Sequence, residues 1–160
     1  MGNCTSKIHQ RSLFGGISSL LVGGLSYVCF RSNTLILFDW IDLVGLGHFV
    51  EYIRSYTIPY VSHIPEWVLF SLPDGLWMFS YGCAICYLWR HTHSKQPYFW
   101  ISLVALCILG VEVLQLFQIA PGRFDPLDVV FYLLGGLLPQ VFLIQKDQTV
   151  LLVNKKLSTK

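Results

Sequence analysis

Four apolar runs dominate the chain, and each comes near the roughly 17 to 25 residues a helix needs to cross the hydrocarbon core of a bilayer. They cover residues 13–30, 67–89, 98–119 and 126–144. With 160 residues and only 12% charged side chains, the chain lacks the polar surface to cover all four in water. The bilayer is the solvent this sequence calls for. The runs are continuously apolar rather than alternating, which selects helices over a barrel, because lipid leaves every backbone polar group to be satisfied internally. The expected fold is a single all-α domain, a four-transmembrane-helix membrane protein with an outer loop over residues 31–66. Trp67, Trp89, Tyr98 and Trp100 fall at the interfacial ends.

Charge sets the expected orientation. Lys7 and Arg11 precede the first run, Arg90 and Lys95 separate the second from the third, and Lys146, Lys155, Lys156 and Lys160 follow the fourth. These eight lie on one side, against Arg31, Arg54 and Arg123 on the other. The positive-inside rule then puts both termini in the cytoplasm of a multi-pass cell-membrane protein. Asp39, Asp42, Glu51, Glu66, Asp74, Glu112, Asp125 and Asp128 all fall toward the outer side, so the net charge of +2 hides a basic inner rim and an acidic outer one. Nucleic-acid binding is not expected.

Residues 13–30 exceed the apolar core of a signal peptide and read as a retained anchor. The outer loop interleaves Asp39, Asp42, Glu51 and Arg54 with apolar patches, which suits an amphipathic helix lying in the interface and ended by Pro59 and Pro65.

Three patterns carry weak chemistry. Met1 to Ser6 matches a myristoylation pattern at Gly2, with Cys4 open to palmitate, an anchor that four spans make redundant. Cys83 and Cys86 with His91 and His93 are zinc-ligand types, but the cysteines sit in an apolar helix, the histidines in a loop, and the spacing is not that of a finger. The cysteines read as packing residues, and no metal or cofactor is expected. His48 is either a proton carrier or an ordinary surface group.

The strong signal lies in residues 112–136. Glu112 and Gln115 share a helix face. Glu112 stands about two turns inside its run, where an unpaired carboxylate costs roughly 2.5 to 3.5 kcal/mol. Pro121-Gly122 turns the chain back, which makes Arg123 the expected partner, since a guanidinium grips a carboxylate with paired hydrogen bonds. Asp125, Pro126 and Asp128 read as the N-cap, N1 and N3 of the next helix, with Asp128 less completely explained by that role than Asp125. Asp74, beside Pro73 and Gly75, closes the cluster from another helix or caps its own. Gly135 and Gly136 permit close helix approach, and Pro139 is expected to kink the fourth run late.

The order Glu112-x-x-Gln115, Pro121-Gly122-Arg123-Phe124-Asp125, Asp128 and Gly135 resembles the VanZ-like family of small bacterial membrane proteins. The resemblance is specific over residues 112–135. Tyr132 stands in the place of that family's asparagine, and Pro73-Asp74-Gly75-Leu76-Trp77-Met78 carries Met78 in the place of a histidine. The resemblance implies an integral membrane protein of the cell envelope, in a family whose founding member is linked to teicoplanin resistance; it implies no particular reaction.

Two readings compete. In the first, Asp74, Glu112, Gln115, Arg123, Asp125 and Asp128 form a polar site at the outer membrane-water boundary for membrane lipids or a lipid-linked envelope precursor. Arg123 then binds phosphate, and Glu112 or Asp128 serves as acid or base. In the second, the cluster only locks helices together, and function lies in partner binding. No nucleophile stands out, so no reaction is named. A transporter fits poorly, because no broken-helix inverted repeat is visible.

Overall fold

The computed structural model describes residues 3–32, 35–90 and 95–141. Among these residues every regular element is helical: α1 (Asn3–Phe30), α2 (Ile36–Leu43), α3 (Gly47–Thr57), a 3-10 segment (Ile58–His63), α4 (Glu66–Leu69), α5 (Ser71–Leu88), α6 (Gln96–Leu116) and α7 (Pro126–Val141). Gly2 of the lipidation pattern, His91, His93, residues 142–144 and the tail beyond them lie outside the described residues.

Three stretches are long and apolar enough to cross a membrane, Gln10–Phe30, Glu66–Leu88 and Gln96–Leu116. That is the make-up of a multi-pass membrane protein. α7 is apolar as well but shorter as far as Val141. Leu20, Leu21 and Leu25 on α1 and Leu106 and Val113 on α6 are exposed, as side chains facing acyl chains are.

α5 is the centre of the bundle, with α1 on one flank and α6 and α7 on the others. Lipid tails are as apolar as leucine, so helices associate through close packing at small residues rather than through hydrophobic exclusion. A Cβ at Gly16 of α1 would stand 2.8 Å from the Cys83 Cβ, and one at Gly135 of α7 would strike the Gly75 carbonyl and stand 3.1 Å from the Phe79 amide. Met78, Cys86 and Ile101 form the buried core, with Tyr132 packed against it. The Cys86 thiol donates to the Pro139 carbonyl at 3.4 Å, and Cys83 is fully buried. Both cysteines act as packing residues.

Helix ends depart from the sequence expectation in ways that matter for the site. The loop 31–66 carries two helices rather than one. Gly45 takes a left-handed conformation (φ 77°), with its amide bonded to the Asp42 carbonyl and that of Leu46 to the Ile41 carbonyl, which closes α2. α6 ends in the same way at Leu116, short of the expected Ile119. Gln118 adopts φ 58°, its amide bonds the Gln115 carbonyl at 2.9 Å, and the Ile119 amide bonds the Leu114 carbonyl at 2.9 Å. Glu112 therefore stands about one turn from the helix end, not two. The second apolar run breaks at Phe70 (φ −112°, ψ −54°), and Pro73 sits in the first turn of α5, where no amide is needed.

Arg54 is 6% exposed and seals the end of α1, donating to the Val28 carbonyl at 2.6 Å and the Arg31 carbonyl at 2.8 Å. Its guanidinium lies 4.8 Å from the centre of the Phe38 ring, and the Thr57 hydroxyl adds a bond to the Cys29 carbonyl at 3.1 Å. A helix leaves its last carbonyls unpaired, and here α3 satisfies them.

Candidate functional site

The early end of α6 and the tight return at Gly122 (φ 122°) bring the start of α7 back beside Glu112. Gln115 holds this turn, donating from its side-chain amide to the Pro121 carbonyl at 3.3 Å. Asp125 then caps α7, accepting from the Leu127 amide at 2.9 Å, the N-cap geometry expected of an aspartate ahead of proline. From the first turn of α5, Asp74 faces Tyr132 of α7, whose hydroxyl lies within reach of the carboxylate.

The structure brings all six of the residues singled out in the sequence, Asp74, Glu112, Gln115, Arg123, Asp125 and Asp128, to one cavity of about 780 Å³. That volume lies within the roughly 300 to 1,000 Å³ typical of small-molecule sites. Apolar side chains, among them Phe70, Ile108 and Val111, share the lining with these polar ones. A second cavity of about 410 Å³ shares Arg31 and Phe70 with the first and is lined mainly by apolar groups such as Leu35, Ile58 and Val61.

The expected ion pair between Glu112 and Arg123 does not form. Among the described residues the ion pair within 4.0 Å is that of His48 with Glu51, at 3.9 Å on the exposed face of α3, apart from the cavity. The turn brings the Asp125 backbone amide, rather than the Arg123 side chain, within reach of the Glu112 carboxylate. The positive end of α7 takes the place of the guanidinium. Arg123 stays exposed at the cavity rim.

The lining also includes Arg31, Glu66, Phe70 and Tyr132, none of which the sequence marked as a site residue. Arg31 follows the end of α1, lies 4.8 Å from the Phe70 ring centre and 5.3 Å from that of Tyr27, and is close enough to Asp74 to act on it electrostatically. The signal for Tyr132 was present: a phenol one helical turn beyond Asp128 shares its face. The site is left with unmet polar atoms. Glu112, 6% exposed, has one carboxylate oxygen without a partner, and so do Asp128 (Oδ1) and Arg31 (Nε). Asp74, Glu112 and Asp128 are near enough to repel one another. Among the described residues no three histidine, cysteine, aspartate or glutamate side chains are grouped so as to hold a metal ion.

Tyr132→Phe removes the donor to Asp74 while keeping the ring against Met78 and Ile101. It is expected to cost about 1 to 2 kcal/mol of stability. A double-mutant cycle with Asp74→Ala, read by thermal unfolding in detergent, should show most of that cost as coupling; additive losses would mean the bond contributes nothing.

No family model matches the chain, and no curated protein and no solved structure matches it.

Proposed function

We propose that the chain is an integral protein of the bacterial cell envelope that binds the headgroup of a membrane lipid, or of a lipid-linked envelope precursor, at the outer membrane-water boundary. The observation that carries this reading is a polar cavity, with buried unmatched carboxylate oxygens and an unpaired rim arginine, beside a mainly apolar one that shares Arg31 and Phe70 in its lining. An amphipathic molecule suits such a pair, its head in the first and its chain against the second. Membership of the VanZ-like family belongs to the same proposal and rests on the pattern from Glu112 to Gly135.

In this arrangement the fourth apolar run is a fourth span, and both termini face the cytoplasm, as the eight basic residues on that side favour. α2 and α3 lie in the outer interface. Trp40, Leu43, Val44, Phe49, Tyr52 and Tyr56 support this, since all are exposed on them or on the turn between them. The expected lock between Glu112 and Arg123 does not form.

Native mass spectrometry of the full chain purified with its lipids tests the proposal. The wild type should retain one defined lipid class, and Arg123→Ala should lose it. Identical lipid complements, or none retained by either protein, refute the reading.

A further inference from the structure

The charge balance inside the cavity narrows what that headgroup is. Five carboxylates line it, those of Glu66, Asp74, Glu112, Asp125 and Asp128, against two guanidiniums, those of Arg31 and Arg123. A purely anionic headgroup would add to this imbalance. Two acids have local work: Asp125 caps α7, and Asp74 accepts from Tyr132. Glu112 and Asp128 each keep a buried oxygen with no donor, and Glu112 is a nearly sealed side chain on the cavity wall. A buried acceptor without a donor costs about 1 to 3 kcal/mol, more if charged. What is missing is a cationic donor beside an anion that the arginines can hold.

Resting on the lipid-site reading above, we propose that the ligand carries a primary ammonium linked to a phosphate, as in a phosphoethanolamine headgroup, with the ammonium at Glu112 and Asp128 and the phosphate at Arg123 and Arg31. A primary ammonium offers three N–H donors and no acceptor, which suits a cavity wall carrying the Glu112 and Asp128 carboxylates. A quaternary ammonium supplies charge but no N–H. Guanidiniums are the side chains best shaped for phosphate oxygens.

The test titrates the detergent-solubilised full-length protein with short-chain phosphatidylethanolamine, phosphatidylcholine and phosphatidylglycerol, with native mass spectrometry as the readout and no divalent cation added. Phosphatidylethanolamine should bind about tenfold more tightly than either of the others. Glu112→Gln and Asp128→Asn should each erase that preference, whereas Arg123→Ala should weaken all three. The wild-type ranking needs no variant to fold, so the proposal stands or falls on it alone.

Equal binding of phosphatidylglycerol and phosphatidylethanolamine overturns the ammonium assignment and leaves the lipid site intact; failure of all three to bind overturns both. Binding that appears only with added Mg²⁺ places a metal ion where the ammonium is proposed, and also overturns it. Soluble phosphoethanolamine distinguishes the source. Competition at concentrations matching the lipid's supports a free headgroup as ligand, and failure to compete while the lipid binds supports the membrane lipid.

Discussion

Arg54→Ala is expected to destabilise the fold by about 3 kcal/mol. The guanidinium makes two short bonds to carbonyls at the end of α1, at 2.6 and 2.8 Å, and stands over Phe38. Bonds to a charged donor are each worth about 1.5 to 3 kcal/mol, and the alanine variant leaves both carbonyls without that donor in a half-buried setting. Arg54→Lys should recover about half of the loss or less, because an ammonium cannot span two carbonyls as a planar fork does. Thermal unfolding in detergent, followed by circular dichroism, measures both variants. Wild-type stability in Arg54→Ala would mean that α3 does not cap α1.

The second large effect is at the α5–α7 contact. Gly135→Ala places a methyl group against the Gly75 carbonyl and 3.1 Å from the Phe79 amide, both backbone atoms that cannot swing aside. The helices must separate, at a cost of about 1 to 3 kcal/mol. The Asp74–Tyr132 bond spans this same contact, so the variant should also lose its retained lipid although Gly135 does not line the cavity. Gly24→Ala is the control: a Cβ there meets nothing within 4 Å, and removing a mid-helix glycine should stabilise by roughly 0.5 to 1 kcal/mol. If the two variants unfold at the same temperature, the close helix contact is not there.

Parts of the site were legible because their causes are local. Asp125-Pro126 announces a helix start whatever surrounds it, since an N-cap bonds the amide two residues on. Glu112 in an apolar run announces a polar neighbourhood, because lipid penalises an isolated carboxylate. Gly135 announces a close neighbour helix without saying which one. The partners of Arg123 and Arg54 were not legible, for one shared reason. A long flexible side chain reaches whatever acceptor the backbone brings within range, and that depends on where distant helices end. Arg31 and Tyr132 were overlooked on similar grounds: neither is adjacent in sequence to its partner Asp74.

Composition and apolar run length, read from the chain alone, determined that it is helical and membrane-embedded, because helix length and bilayer thickness are matched by simple geometry. The order of the runs also put the acids from Asp39 to Asp128 toward the expected outer side. Which partner each acid has was decided only by the tertiary structure. The left-handed residue at Gln118 ends α6 early, the return at Gly122 carries α7 back, and the amide of Asp125 reaches Glu112 in place of Arg123. Small backbone turns at helix ends move side chains by several ångströms, enough to leave Arg123 without a carboxylate and Glu112 with an oxygen that no donor in the described residues meets.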